Sequence, residues 1–226
     1  GRGFPQVLID EATQATEPAS LVALTRGARQ VVLVGDHKQL PPTVISFRAE
    51  EKGLKRSLFE RLVDLGIEPL LLSTQYRMHP AISKFPNQHF YSDRLDDGIK
   101  SENRLAPAGL LWPDWDNPVA FVPVDGGEVV SPDGTSRENP AEVSWVIKIL
   151  NDILEAGEIT KKDIGIITPY AGQVRAIRNS MSEKLDDVEV KTVDGYQGRE
   201  KEVIIFSCVR SNTEQNIGFL SEMRRL

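Results

Sequence analysis

Five short runs of consecutive apolar residues, separated by segments of helix length, constrain this chain more than any other feature. Val7-Leu8-Ile9, Val31-Val32-Leu33-Val34, Leu70-Leu71-Leu72, Ile164-Gly165-Ile166-Ile167 and Val203-Ile204-Ile205-Phe206 lack the polar alternation of a half-wetted strand. They read as strands buried on both faces, as in parallel sheets. Helix-length segments lie between them, approximately Pro18–Leu24, Lys55–Leu65, Pro80–His89, Pro140–Ala156 and Ala171–Leu185. This alternation predicts an α/β fold with doubly wound parallel sheets, whose ligands bind beyond the carboxyl ends of the strands. A length of 226 residues suits two small domains better than one, with a boundary expected near Glu68. The stretches from Asp93 to Pro118 and from Gly126 to Asn139 show no period and read as excursions over the surface.

The net charge of −6 argues against a broad basic face that grips phosphates. Charge alone would not suggest nucleic acid, although a narrow groove needs only a few Lys, Arg and backbone N–H groups to hold a single strand. No apolar run approaches the roughly 20 residues needed to span a bilayer, so no membrane partner is expected. The single cysteine, Cys208, cannot form an internal disulfide or a cysteine-rich zinc site, which suits a reducing compartment and points to nucleus or cytoplasm. Cys208 is read as a core residue. His37, His79 and His89 are scattered without companion ligands and are read as structural. The opening Gly1-Arg2-Gly3-Phe4 has neither a signal peptide nor an initiator Met, so the chain is expected to be an excised piece.

Two strand exits carry candidate chemistry. Asp10-Glu11 follows the strand Val7–Ile9, where a nucleotide's phosphates and Mg²⁺ would sit. In phosphoryl transfer a strand-end Asp can hold the metal and a second acid can polarise the attacking water, so Asp10 takes the metal role and Glu11 that of base. The alternative is that Asp10 caps the next helix while Glu11 is merely solvated. After Val31–Val34 comes Gly35-Asp36-His37-Lys38-Gln39-Leu40-Pro41-Pro42. Gly35 permits a tight exit and the prolines stiffen the loop, so the Gln39 amide can be aimed to donate to a γ-phosphate oxygen and accept from water. An ordinary turn is the competing reading.

The order Asp10-Glu11-Ala12-Thr13-Gln14-Ala15, Gly35 to Pro42, then Gln75-Tyr76-Arg77-Met78-His79-Pro80 closely resembles motifs II, III and IV of superfamily 1 helicases. It is similar to the branch containing the nonsense-mediated-decay helicase, senataxin and the immunoglobulin-mu-binding helicase. Thr168-Pro169-Tyr170 with Gln173, and Val193-Asp194-Gly195-Tyr196-Gln197-Gly198-Arg199-Glu200-Lys201-Glu202, resemble that branch's motifs IVa and V, so the likeness covers essentially the entire chain. It implies RecA-like folding, with residues 1–67 as the later part of a first domain and 68–226 as a nearly complete second. It implies ATP and Mg²⁺ as cofactors. Tyr76 would stack on or line the adenine pocket, and Arg77 would reach the γ-phosphate as an arginine finger, whereas a lone Arg outside this pattern reads as a surface ion pair. Glu200 would contact the nucleotide at its ribose and Gly198 would let a phosphate or sugar approach the backbone, whereas residues 199–202 taken alone read as a solvated charge run. Pro41, Pro42, Thr168, Pro169, Tyr170, Gln173 and Thr192 would hold a single strand of RNA or DNA, with the Tyr170 ring free to stack on a base or simply packed.

No Gly-Lys dipeptide occurs, so the phosphate-binding loop Gly-x-x-x-x-Gly-Lys-Ser/Thr is absent. Residues from Gly218 to Leu226 resemble the lead-in to motif VI, whose second arginine finger would follow. The expectation is an ATP-dependent helicase that translocates 5′-to-3′, of which this chain is an inactive part awaiting the first half of its first domain. A non-catalytic scaffold that only docks nucleic acid or protein is the alternative, disfavoured by the presence of Asp10, Glu11, Gln39, Arg77 and Glu200. Nothing in the sequence bears on oligomeric state.

Overall fold

A computed structural model describes residues 3–221 and divides them between two compact units, 3–72 and 73–221. The expected lead-in to motif VI therefore lies partly outside the described residues.

In the first unit β1 (Gln6–Ile9) pairs in parallel with β2 (Gln30–Leu33), and α1 (Glu17–Leu24) is the crossover between them. Pro18 sits in the first turn of α1, where its missing N–H costs nothing. Two further helices follow, α2 (Phe47–Glu51) and α3 (Leu58–Asp64). Each starts at a serine whose hydroxyl accepts an orphan backbone N–H, Ser46 from Ala49 at 3.3 Å and Ser57 from Glu60 at 3.1 Å. Arg61 of α3 grips Glu17 of α1 through both Nε and Nη2 at 2.7 Å, and this hydrogen bonding holds the Glu17 carboxyl below its ordinary value. The strands depart from the expected two-sided burial, because Leu8 and Val32 are exposed. A two-stranded sheet with one crossover helix covers only one face. Leu70–Leu72 forms no strand, and Leu70 is 98% exposed. An apolar run becomes a strand only where a neighbour satisfies its backbone, and this one pairs with none.

The second unit opens with a short parallel pair, β3 (Thr74–Gln75) and β4 (Asp96–Asp97), spanned by α4 (Pro80–Phe90). A hairpin of β5 (Val129–Val130) and β6 (Arg137–Glu138) interrupts the stretch expected to be irregular. Beyond it lies a three-stranded parallel sheet in the order β8 (Glu189–Thr192), β7 (Ile164–Thr168), β9 (Val203–Phe206). Helices α5 (Pro140–Ala156) and α6 (Ala171–Ser180) and the short α7 (Val193–Tyr196) connect and cover these strands. Parallel strands joined through helices are the α/β architecture expected. Helix α5 presents Val143, Val146, Leu150 and Ile153 at helical spacing against Ile164, Ile166, Ile177, Val190, Val203 and Ile205, and this stripe is the core. Helix α6 ends earlier than expected, at Ser180, and a 3₁₀ turn at Glu183–Leu185 takes up the remainder.

The last strand corrects the reading of Cys208 as a core residue. Along the chain from Val203, alternate residues Val203, Ile205, Ser207 and Val209 point inward, while Ile204, Phe206 and Cys208 are exposed. The strand is at the edge of its sheet and buries one face, so period two places Cys208 outside. Among the described residues no helix is long and apolar enough to cross a membrane.

Candidate functional site

The register Ile9↔Leu33 brings both strand exits of the first unit to the same edge. The two loops are stitched there by Val34 N donating to Ile9 O and Ala12 N donating to Val34 O, each at 2.8 Å. Asp10 and Glu11 are exposed, and Asp10 Oδ1 accepts the Glu11 N–H at 2.9 Å. Asp10 does not cap α1, whose N-terminal cap position is Thr16. Glu11 has φ of 49°, a left-handed backbone unusual for a residue with a side chain, and its Oε2 accepts from Gln14 Nε2 at 2.8 Å. Such a conformation turns a carboxylate out of the strand direction, and residues held this way concentrate at working sites. In the facing loop Gln39 is exposed and donates through Nε2 to Asp36 Oδ2 at 3.0 Å, while Asp36 Oδ1 accepts the Lys38 N–H at 2.9 Å. The loop is thus a turn in which Asp36 holds the Gln39 amide. Pro42 is fully buried and anchors it, and Pro41 is half-buried.

In the second unit the turn after β3 carries Tyr76 and Arg77 to an open cleft of about 430 Å³, lined by Gln75, Tyr76, Arg77, Met78, Arg104 and Glu200. Arg77 Nε donates to Glu200 Oε2 at 2.5 Å across a sequence separation of 123 residues. Their side chains are 66% and 65% exposed, so the pair is a weak contact in water that an incoming anion can exchange. Tyr76 offers an exposed ring. Gly198, expected to admit a sugar or phosphate, has φ of 76° with open space around it, a conformation glycine takes without cost. Thr192 is half-buried and its hydroxyl caps α7, accepting the Gly195 N–H at 3.2 Å. Sequence reasoning missed Arg104, which pairs with Glu202 at the rim of the same cleft. It lies in the aperiodic excursion and had no local pattern to mark it.

The residues expected to hold a strand are differently disposed. Thr168, Pro169, Tyr170 and Gln173 are all buried. Gln173 is 0% exposed, and its amide is fully occupied inside the unit: Oε1 accepts the Asn139 N–H at 2.8 Å, and Nε2 donates to Ser207 Oγ at 2.9 Å and Asn139 O at 3.3 Å. The Tyr170 ring is packed, its hydroxyl accepting from Arg210 Nη1 at 3.1 Å, so it offers no free face for stacking on a base. These side chains brace the end of β7 and leave contact to the groups around them. A second cleft of about 450 Å³ lies there, bounded by Pro169, Tyr170, Ala171, the hairpin residues Gly134 to Arg137, and Arg210. Its two arginines converge on Glu128, which accepts from Arg210 Nε at 2.7 Å and lies 2.9 Å from Arg137 Nη1. Neither Glu128 nor the arginines were marked by sequence reasoning, since the three come together only in the fold.

A family model described as AAA domain matches residues 54–226, and a second with the same description matches residues 2–47. The chain belongs to the AAA domain family. Within it, the chain is 47% identical to the "Regulator of nonsense transcripts 1 homolog" of Neurospora crassa, over 99% of this chain and 21% of that protein. It is 45% identical to the "ATP-dependent helicase NAM7" of Saccharomyces cerevisiae, over 99% of this chain and 24% of that protein. It is 46% identical to the "ATP-dependent helicase upf1" of Schizosaccharomyces pombe, over 99% of this chain and 25% of that protein. The motif-based resemblance to this helicase branch is borne out along nearly the whole chain. This AAA-domain chain spans about a fifth to a quarter of the length of these curated relatives.

Proposed function

We propose that the protein carrying this chain is an ATP-hydrolysing motor that moves 5′-to-3′ along single-stranded RNA or DNA in the nucleus or cytoplasm. The two units are read as parts of its first and second RecA-like domains. The observation that carries the proposal is the convergence of Tyr76, Arg77 and Glu200 in one cleft, from segments far apart in sequence. Surface ion pairs contribute little to stability, so a weak pair lining an open cleft beside an exposed aromatic ring is better explained by a ligand than by folding.

In this reading Tyr76 lines the base and Glu200 accepts from the ribose hydroxyls. Release of Glu200 to the sugar frees Arg77, whose planar guanidinium then meets phosphoryl oxygens as negative charge spreads over them. Asp10 suits Mg²⁺ as a hard, exposed carboxylate at a strand end. Mg²⁺ is commonly held by one or two carboxylates with water and substrate phosphates, and Asp10 would supply one of them. When bound, that ion neutralises phosphate charge. Glu11 takes the proton of the attacking water, and the Gln39 amide orients that water. Strand contacts would come from the Pro41-Pro42 loop in the first unit and, within the second, from Thr192 and the segment from Thr168 to Gln173, its buried members shaping the backbone, with the half-exposed Arg137 beside it.

Glu11→Gln, made in the native protein, tests this assignment. The amide keeps the shape and loses the base, so ATP binding is expected to survive while kcat for hydrolysis falls about 10²- to 10⁴-fold. Steady-state kinetics with a nucleotide-binding titration read the two separately. Unchanged kcat would remove Glu11 from the mechanism.

A further inference from the structure

The cleft residues Tyr76 and Arg77 sit in the tight turn that follows the two-residue strand β3, so something beyond local backbone preference must aim them. The Gln75 amide does much of this. Its Oε1 accepts the N–H groups of Arg77 at 2.9 Å and Met78 at 2.7 Å, and its Nε2 donates to Met78 O at 2.8 Å. The remaining Nε2 hydrogen goes to Asp97 Oδ1 at 2.6 Å. All four hydrogen-bonding positions of the amide are filled, and only one orientation fills them. Asp97 is held in turn by the buried Ser83, whose hydroxyl donates to the same Oδ1 at 2.7 Å. The next residue meets Tyr76 directly: a Cβ added to Gly98 would lie 2.4 Å from Tyr76 Cε1 and 2.5 Å from Cδ1, well inside van der Waals contact. The ring therefore occupies space that exists only because Gly98 has no side chain.

We infer that Asp97 and Gly98 are positioning residues for the cleft, Asp97 fixing through Gln75 the backbone that presents Arg77, and Gly98 fixing where the Tyr76 ring rests. Gln75 can orient its amide in the same way without help only by leaving one N–H unpaired, which allows the turn to sample other arrangements. Small displacements of a charge-stabilising group are costly in catalysis, so Asp97 acts on rate though it touches no substrate. Gly98 acts on nucleotide affinity, since a ring pushed off its seat no longer lines the base. This inference rests on the proposed roles of Tyr76 and Arg77.

The test is a double-mutant cycle on strand-stimulated ATP hydrolysis in the native protein, joining Asp97→Ala with Arg77→Ala. Asp97→Ala is expected to lower kcat about tenfold with KM for ATP nearly unchanged, and to add little in the Arg77→Ala background. Asp97→Asn retains an acceptor at the Gln75 amide and is expected to restore most of the rate. Gly98→Ala is expected to raise KM roughly fivefold with kcat preserved, and it serves where Asp97→Ala does not fold. Wild-type kcat in Asp97→Ala, or an equal loss in both backgrounds, overturns the role of Asp97, and an unchanged KM in Gly98→Ala overturns that of Gly98. A silent Arg77→Ala would instead bring down the reading of the cleft itself, and the positioning roles with it.

Discussion

Arg77→Ala in the native protein is expected to lower kcat for ATP hydrolysis by about 10³-fold or more, with the protein folded and still able to bind nucleotide. The size follows from where the charge acts. An arginine that meets phosphoryl oxygens as charge spreads over them stabilises the transition state more than the ground state, so its loss falls on kcat rather than KM. Stability is expected to change little, because the ion pair with Glu200 that is removed joins two side chains that are about two-thirds exposed. Arg77→Lys is expected to recover only a small part of the rate, since a point charge cannot reproduce the planar fork. Single-turnover kinetics with a thermal melt would separate these effects. A hydrolysis rate within about threefold of wild type would show that Arg77 is no finger.

Glu128→Ala is expected to destabilise the second unit strongly, by about 3 kcal/mol or a fall in melting temperature of roughly 10 °C. The Glu128 side chain is 5% exposed and that of Arg210 11%, so removing the carboxylate leaves a largely buried guanidinium without its counter-charge. The same carboxylate also accepts the Ser211 N–H at 3.0 Å and Asn212 Nδ2 at 3.2 Å. One residue thus ties the hairpin of β5 and β6 to the segment after β9. Glu128→Gln keeps an acceptor and is expected to lose less. Burial by itself would raise the Glu128 pKa, but hydrogen bonds from Asn212, Arg210 and the Ser211 amide, with the charge of Arg210, hold it below the ordinary 4.5. A folded value below the unfolded one gives stability that is present above pH 4.5 and is lost as pH falls through the lowered value. Melting curves between about pH 3 and pH 7 check this, because Glu128→Ala is expected to flatten the acid limb. Equal melting temperatures for wild type and variant at pH 7 would contradict the clamp.

Helix α5 was readable to the residue because local signals agreed: Asn139 and Pro140 mark its start, an apolar stripe its length and Gly157 its end. The strands β7 and β9 were readable for a related reason, being apolar runs that find parallel neighbours. Leu70–Leu72 carries the same apolar signal without a neighbour and remains irregular. Within the site, position was more legible than direction. Asp10 lies at a strand end and Gln39 in the loop after a strand, as expected, while Thr168, Tyr170 and Gln173 belong to a motif read as strand-facing yet point inward. Whether a polar side chain faces in depends on partners such as Asn139 and Ser207, which no periodicity predicts. The pairings Arg77 with Glu200 and Arg104 with Glu202 are non-local, and residue spacing alone marks neither.

The proposed strand-driven ATPase is tested most directly by the rate of ATP hydrolysis by the native protein with and without single-stranded RNA or DNA. The rate is expected to rise severalfold or more on adding single strands and to collapse in Arg77→Ala. A folded native protein that binds strands yet hydrolyses no ATP, with or without them, would contradict it and leave a docking scaffold.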